Sequence, residues 1–410
     1  MFKSKFLIPL IIGLAIRIFL MAFTYHPDLA GQSLSSYFLG TKNVTNVYEY
    51  LLSLPPSHPL VKNFGVSDIF IYPPLTYFTL GSFQKIFAFT GLSYFLETVM
   101  SGANIYLIPN LPWYLLIIKL PYLIFDFAVA FLLYKYFTNP RHRYLAFIIW
   151  IFNPVTLYAT FCMGVFDIIP VFFTVLSAFL LKKNKLALSA LAIGFGIAFK
   201  MYPIFLLPFI IFKSDKWLSR IKIGIISLLP VILTNLPFIT SSAYRYMVFS
   251  PKSQKMFYME WMLSVAEGLF PFLLILTFLY LLSQNKFLRP KFYCSYFMVV
   301  FLLLFSVTHF HPQWFIWITP FLIIELLNYH FKEAWLYLGL VFIYIFIVFT
   351  FENSLSVGLF APLNPSLASF VGTQSILTKA VDINQLKSYF RSVFAGISIY
   401  LAFTHLKKNA

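Results

Sequence analysis

Charged residues are scarce in this chain: Lys, Arg, Asp and Glu make up 10% of its 410 residues, and only 13 side chains are acidic. Because about 25% of an average soluble domain is charged, this composition excludes a soluble globular protein. Two cysteines, Cys162 and Cys294, are too few for a disulfide framework, and we assign them no role. Low-complexity tracts, flexible linkers and clear repeats are also missing. We therefore expect a single integral domain over residues 1–410, with a variable C-terminal part at 331–410.

Long apolar runs make up most of the sequence. The chain is 60% hydrophobic and 21% aromatic. Stretches of about 20 apolar residues, enough to cross a bilayer core about 30 Å thick, follow one another nearly end to end. A membrane β-barrel would instead show short segments of alternating hydrophobicity. The sequence therefore predicts an all-α, polytopic helical membrane protein.

The basic residues predict its topology. Although the net charge is +17, the lysines and arginines form small clusters between apolar runs, which marks cytoplasmic loops better than a nucleic-acid interface. The first apolar run carries Arg17 and is interpreted as an uncleaved span, with a cleavable signal peptide as the alternative. If every basic cluster lies on the cytoplasmic side, the chain crosses the membrane about twelve times and both of its ends are cytoplasmic. The predicted spans lie near residues 6–24, 113–135, 144–162, 166–181, 186–200, 202–212, 222–239, 262–282, 293–308, 313–328, 335–351 and 390–405.

The first outer loop is predicted to be long and to contain interfacial helices. Its segment "YPPLTYFTLGSFQKIFAF", at 72–89, begins with a double proline and carries Gln84 and Lys85. If this segment crossed the membrane, the basic cluster "KYFTNPRHR" would fall outside, so we expect a helix lying in the outer interface with its aromatic residues buried and its polar residues facing up. Because the outer loops at 25–112, 240–261 and 352–389 are long and the inner loops are short, function is expected outside.

Ionisable side chains are predicted to collect at this outer level of the membrane. Asp28 follows the first span, Asp167 and Lys200 lie at the outer ends of later spans, and His309 and His311 join two more. Such residues are costly in a membrane, so a functional role is the default hypothesis. The alternatives are structural: Asp28 as a solvated residue or a helix cap, Asp167 as a cap or a partner of Lys200, and both histidines as interfacial or structural residues. The two histidines lack further ligands at metal-binding spacing, so no metal site is expected.

Three more ionisable residues fall inside the predicted spans. We expect Arg17 and Asp126 to form an interhelical ion pair, which explains both better than catalysis does. Lys119 lies seven residues before Asp126, about two helical turns or ~10 Å away, so these two side chains do not pair directly.

Six segments, in chain order, resemble the GT-C class of multi-spanning glycosyltransferases that use polyprenyl-phosphate sugars. The likeness covers about residues 1 to 330 and is closest to the mannosyltransferase-like bacterial and archaeal members. It differs from many members in one respect, since "HPDLAGQ" has a single acidic residue where they have two, with His26 and Gln32 nearby. The segments are "YHPDLAGQSLSSYF", "IYPPLTYF", "KLPYLIFDFAVAFLLY", "NPVTLYATFCMGVFDIIPVFF", "GFGIAFKMYPIFLLPFI" and "HFHPQWFIWITPFL".

The resemblance implies an inverting transfer of mannose or another hexose from a polyprenyl-phosphate donor to a lipid-linked or glycan acceptor. It places the reaction on the extracytoplasmic face of a prokaryotic plasma membrane, with the bilayer, the donor lipid and a glycan or glycolipid acceptor as partners. No nucleic acid, metal or further cofactor is expected.

The resemblance also assigns roles to residues. It makes Asp28 the general base, because the attacking acceptor hydroxyl must lose a proton. A departing phosphate needs cations rather than a general acid. The candidates for this phosphate are Lys200 and His311 first, then His309, Arg245, Lys252 and Lys85. Substrate-binding or structural roles are expected for His26, Tyr72, Asp126 and Asp167.

Two other functions compete with this prediction. A transporter or a flippase for lipid-linked saccharides would place ionisable residues near the middle of the membrane and often shows inverted repeats. Here only Arg17, Lys119 and Asp126 favour it, and no matching halves are visible. A polysaccharide polymerase would rely on arginines in the outer loops, where the chain has only Arg245 and, at an edge, Arg391.

Overall fold

The computed structural model describes residues 4–65, 69–249, 259–285, 290–309, 311–379 and 381–407. Nearly all regular structure in these ranges is helical, which confirms the all-α class. The α-helices are Ser4–Phe23 (α1), Pro27–Lys42 (α2), Val47–Ser53 (α3), Pro59–Phe64 (α4), Pro74–Ile86 (α5), Leu92–Met100 (α6), Leu111–Tyr136 (α7), Pro140–Ile151 (α8), Pro154–Thr156 (α9), Ile168–Lys182 (α10), Leu186–Phe199 (α11), Leu207–Phe212 (α12), Trp217–Asn235 (α13), Ser242–Val248 (α14), Pro271–Gln284 (α15), Ser295–Val307 (α16), Thr319–Asn328 (α17), Ala334–Phe349 (α18), Thr373–Leu377 (α19) and Ile383–Lys407 (α20).

Shorter elements connect these helices. Strands Trp261–Met262 (β1) and Gly268–Leu269 (β2) pair antiparallel, with Trp261 opposite Leu269. A π-helical stretch, Leu157–Cys162, continues α9. The 3₁₀ helices are Ala88–Thr90, Ile105–Leu107, Tyr202–Leu206, Leu236–Phe238, Pro312–Trp317, Asn353–Leu355, Val357–Phe360 and Pro365–Ser369.

Several helices are possible membrane spans. Four are long and apolar enough to cross a bilayer: Lys5–Phe23, Leu111–Tyr136, Pro140–Cys162 and Trp217–Phe238. Shorter apolar helices follow at Ile168–Lys182, Leu186–Phe199, Tyr202–Phe212, Pro271–Gln284, Ser295–Val307 and Ala334–Phe349. The helices agree with the membrane class, and the count of twelve spans stays a prediction.

Several predicted spans have different boundaries in the structure: those expected at 222–239 and 390–405, for example, begin at Trp217 and Ile383. The span expected at 262–282 begins at Pro271, because the residues before it form the β1–β2 hairpin. The span expected at 144–162 is interrupted where α8 ends, since Asn153 Oδ1 accepts hydrogen bonds from the N–H groups of Val155 and Thr156 and starts a new turn. Pro154 strengthens the break because proline has no N–H to continue the helix.

The expected ion pair between Arg17 and Asp126 is present. Arg17 Nε lies 2.7 Å from Asp126 Oδ2, and both side chains are fully buried. Trp150 Nε1 donates to Asp126 Oδ1 at 3.0 Å, and Arg17 Nη1 donates to the Ile151 carbonyl at 2.8 Å. Because Ile151 closes α8, its carbonyl has no N–H four residues further along the helix. Asp126 and Arg17 therefore join α1, α7 and the end of α8.

Lys119 is also explained by packing. Its Nζ donates to the Thr24 carbonyl at 2.6 Å and to the Phe161 carbonyl at 2.8 Å. Thr24 follows the end of α1, and Phe161 lies in the π-helical stretch. The buried ammonium thus binds carbonyls at two helix irregularities, and it does not pair with Asp126, as expected.

The segment predicted as an interfacial helix forms α5 and packs on α2. Helix contact is close: a Cβ on Gly40 would lie 2.8 Å from the Gly81 carbonyl oxygen. Gln84 differs from the prediction that polar residues face up, because it is buried and its Nε2 donates to the Ser33 carbonyl at 3.1 Å. Lys85 is exposed, and its Nζ lies 3.3 Å from Asn43 Oδ1. Helix α5 also contacts α7, α11 and α13, so the α2–α5 pair packs against the apolar helices.

Candidate active site

Asp28 lies in the first turn of α2, but it does not cap this helix. His26 is the N-cap residue, and its Nδ1 accepts a hydrogen bond from the Asp28 N–H at 3.2 Å. Pro27 occupies the next position, where proline needs no hydrogen-bond partner. The capping alternative for Asp28 is therefore wrong, and its carboxylate, with 43% of the side chain exposed, remains open to the surface.

Two polar side chains face the Asp28 carboxylate. His26 Nδ1 lies 3.7 Å from Asp28 Oδ2, and Gln313 Nε2 lies 3.5 Å from the same oxygen. Gln313 is buried, and no residue in the described chain donates to its Oε1. A buried acceptor without a partner is costly and calls for an explanation such as a ligand donor. Gln313, which the sequence did not single out, therefore places a buried amide beside the predicted base.

The histidines of this site have lowered pKa values. Burial lowers the pKa of His26, and the carboxylates of Asp28 and Glu352 oppose this shift only in part. Loss of solvent likewise lowers the pKa of His311, where Asp28 raises it and Lys200 lowers it further. Both imidazoles are thus favoured in the neutral form. A neutral His26 keeps the Nδ1 lone pair that caps α2.

The His26 cap should fail at acid pH. Since the pKa is lower in the folded chain than the usual ~6.5, the unfolded chain binds the proton more tightly, and the stabilisation present above pH 6.5 is lost as pH falls. We expect wild type to lose about 1 kcal/mol relative to His26→Asn between pH 7.5 and 5, because Asn caps at both pH values. Thermal unfolding in detergent checks this. His26→Ala should be weaker than Asn at pH 7.5, and equal pH profiles for wild type and His26→Asn would contradict the cap.

An ion pair between Asp167 and Lys200 shares two neighbours with Asp28, namely Tyr72 and His311. Lys200 Nζ lies 2.8 Å from Asp167 Oδ1 and 3.0 Å from Oδ2, and Trp317 Nε1 donates to Asp167 Oδ1 at 2.5 Å. All three side chains are almost completely buried. From the sequence, pairing with Lys200 was one of the structural alternatives for Asp167, and the structure shows this pair. Binding of a donor phosphate by Lys200 stays a prediction, because Asp167 already neutralises its ammonium.

Tyr72 lies between the two acidic residues. Burial and the negative charges of Asp28 and Asp167 raise the pKa of its phenol, which stays protonated. Lys200 Nζ lies 5.2 Å from the centre of the Tyr72 ring, and the Tyr48 hydroxyl donates to the Tyr72 carbonyl at 2.6 Å. Helix α5 begins at the double proline that follows Tyr72, so the loop before α5 positions the Tyr72 ring at the site.

Stacked aromatic rings join His311 to the ion pair. The His311 ring lies 5.0 Å from Trp314, Trp314 stacks on Trp317 at 5.3 Å, and Tyr202 stacks on Trp317 at 4.0 Å. These contacts fix the segment Pro312–Trp317, which also carries Gln313. The six residues Asp28, His26, Tyr72, His311, Gln313 and Glu352, with the Asp167–Lys200 pair, are called the Asp28 cluster below.

The remaining predicted residues lie outside or at the edge of this cluster. Arg245 is exposed on α14 and donates to the Ile239 carbonyl at 2.6 Å, and Asp126 pairs with Arg17. The His309 ring lies 5.6 Å from that of His311, at the cluster edge. Lys252 lies outside the described residues. In the described part of the chain, no group of three or more His, Cys, Asp or Glu could hold a metal.

Known proteins give no further lead: no family model, no curated protein and no solved structure matches the chain. The likeness to GT-C enzymes therefore stays a prediction from the motifs. Any functional conclusion depends on the geometry of the Asp28 cluster and its surroundings.

An apolar cavity of about 450 Å³ adjoins this cluster. Its wall is joined to the chain that leads to His26, because the Leu359 carbonyl accepts the Tyr25 N–H at 2.8 Å. The Tyr158 hydroxyl donates to the Leu355 carbonyl at 2.8 Å and fixes a second side. The sequence did not predict this cavity, since residues far apart in the chain form it: Pro154, Tyr158, Cys162, Tyr344, Ile345, Val348, Phe349, Ser356, Val357, Leu359, Phe360, Leu363 and Leu367.

Proposed function

We propose that this chain is an inverting glycosyltransferase. It transfers mannose or another hexose from a polyprenyl-phosphate donor to a lipid-linked or glycan acceptor, on the extracytoplasmic face of a prokaryotic plasma membrane. The observation that carries the proposal is the open Asp28 carboxylate, held in the first turn of α2 beside His26 and Gln313. An acceptor hydroxyl that donates to the exposed Asp28 carboxylate is placed for removal of its proton.

The reaction requires one base and no general acid. Asp28 takes the proton of the acceptor hydroxyl while the hydroxyl oxygen bonds to the anomeric carbon of the donor sugar. The bond from this carbon to the phosphate oxygen breaks, and the phosphate leaves with the electron pair. Attack from the face opposite the phosphate inverts the anomeric configuration. The neutral imidazole of His26 holds the α2 backbone, and thereby Asp28, in place.

The apolar cavity supports a lipid-linked substrate. Its exposed lining is entirely apolar, and at about 450 Å³ it is large enough for part of an isoprenoid chain. Phe349 and Leu363 on its rim are half exposed, so a chain lying in the bilayer can reach it. The cavity therefore supports a donor whose hydrocarbon tail stays in the membrane while its sugar reaches Asp28.

The structural contacts weaken the transporter alternative. Its best support was the trio Arg17, Lys119 and Asp126, and each of these side chains binds a structural partner at a helix end or irregularity. In a transporter, such residues would line a path near the middle of the membrane. No specific observation favours the flippase or the polymerase.

A transfer assay tests the proposal. Membrane vesicles containing the chain are supplied with radiolabelled polyprenyl-phosphate mannose or glucose, and vesicles from the same host without the chain serve as control. We expect label in a new glycosidic bond to a lipid or glycan, at a rate well above the control. Movement of labelled lipid across the bilayer without a new bond would instead support the flippase. A folded chain that transfers neither sugar contradicts the proposed donor class.

A further inference from the structure

The last helix, α20, presents basic side chains to the edge of the Asp28 cluster. Lys387 and Arg391 are four residues apart and so share one helix face. Arg391 Nη2 donates to the Thr308 carbonyl at 2.6 Å, directly before His309 in the chain. Lys387 Nζ lies 5.2 Å from the centre of the Phe351 ring. Two connections, at Thr308 and at Phe351, therefore place this face beside the site.

Positive charge accumulates where this face meets the histidines. The His309 and His311 rings are 5.6 Å apart. Partial burial and the charges of Arg391, His311 and Lys387 together lower the pKa of His309. Among the described residues, no carboxylate lies within 4 Å of Lys387 Nζ. Lys387 and Arg391, together with the neutral imidazole of His309, are called the α20 cation group.

The carboxylates of the site act mainly on His26. Asp28 acts on His311 and on His26, and Glu352 acts on His26. The Ser354 hydroxyl also donates to Glu352 Oε1 at 3.0 Å. Negative charge is thus concentrated around His26, and positive charge around His309. An inverting transfer needs this separation, because base and leaving group lie on opposite sides of the anomeric carbon.

The α20 cation group is also connected to the apolar cavity. Phe351, which contacts Lys387, packs against a small hydrophobic cluster that includes Cys162 and Leu359, and both of these line the cavity. A ligand with an anionic head and a hydrocarbon tail can thus place its head at Lys387 and its tail in the cavity. Arginine and lysine are the side chains that bind phosphate best.

We propose that Lys387, Arg391 and His309 bind the phosphate of an isoprenoid-linked substrate. The ligand class is an isoprenyl phosphate, and the inference deepens the proposed function on which it rests. It assigns a binding role to the C-terminal helix, which lies in the part of the chain that resembles no known family. It also replaces Arg245, which is exposed on α14, as a source of positive charge for the phosphate.

Binding of farnesyl phosphate and of farnesol to the purified full chain in detergent tests this. The two probes differ only in the phosphate, and tryptophan fluorescence reports binding because Trp314 contacts His311. We expect wild type to prefer farnesyl phosphate by about tenfold or more, and Lys387→Gln to reduce that preference by about tenfold. Lys407→Gln, at the other end of α20, should bind as wild type does.

The outcomes separate this inference from the proposed function. Arg391→Gln also loses the contact to Thr308, so Lys387→Gln, whose side chain only packs on Phe351, is the decisive variant. Unchanged preference for farnesyl phosphate in folded Lys387→Gln overturns the inference, as does equal binding of both probes to wild type. If wild type shows the Lys387-dependent preference yet transfers no sugar, the phosphate site stands and the proposed transferase fails.

Discussion

Asp28→Asn is expected to abolish sugar transfer, lowering the rate by about 10²- to 10⁴-fold, the range that a general base contributes. The amide keeps the size of the carboxylate and its contact with Gln313, but it cannot accept the proton of the acceptor hydroxyl. The substitution should leave the fold intact. His26 caps α2 through the backbone N–H of residue 28, and this bond does not involve the Asp28 side chain.

The measurement is the initial rate of transfer from radiolabelled polyprenyl-phosphate sugar, at equal amounts of wild-type and variant protein in the membrane. Glu267→Gln is the matched control, because it makes the same carboxylate-to-amide change at an exposed position of the β1–β2 hairpin. It should transfer sugar at the wild-type rate. A folded Asp28→Asn variant with full activity would show that another group removes the proton.

The local features of the site were predictable from the sequence. Asp28 comes directly after the first apolar run, and the double proline before α5 marks where the loop carrying Tyr72 ends. The pairing of Arg17 with Asp126 also followed, because two opposite charges in apolar helices have few other partners. Each of these predictions needs only hydrophobic pattern, helix ends and charge.

The remaining features depend on contacts between distant segments. Gln313 meets Asp28 only because the Pro312–Trp317 segment packs beside α2, and no local pattern shows this. The hydrogen bond from Tyr25 to Leu359 brings the C-terminal segment to the site in the same way. Gln84 was predicted to face the aqueous side, because water would hydrate it on an isolated interfacial helix. In the structure α5 packs on α2, and the Ser33 carbonyl accepts a hydrogen bond from Gln84 instead.

Asp126→Ala is expected to destabilise the chain more than any other single substitution discussed above. Removing the carboxylate leaves the Arg17 guanidinium charged and fully buried without its anion, which costs about 3–5 kcal/mol. The Trp150 indole N–H loses its side-chain acceptor at the same time. Thermal unfolding in detergent at pH 7.5 should therefore show a large decrease in the midpoint temperature, while Asp28→Ala, at a partly exposed site, should change it little.

Replacing both partners decides whether the buried charge is the cause. In Arg17→Met/Asp126→Leu no uncompensated charge remains, so we expect this double variant to be more stable than Asp126→Ala. Recovery should be partial, because Arg17 also donates to the Ile151 carbonyl at the break after α8. If the double variant were no more stable than Asp126→Ala, losing the Arg17 contact to the Ile151 carbonyl would cost at least as much as removing the buried charge gains. The uncompensated charge of Arg17 would then not be the main cause of the loss in Asp126→Ala.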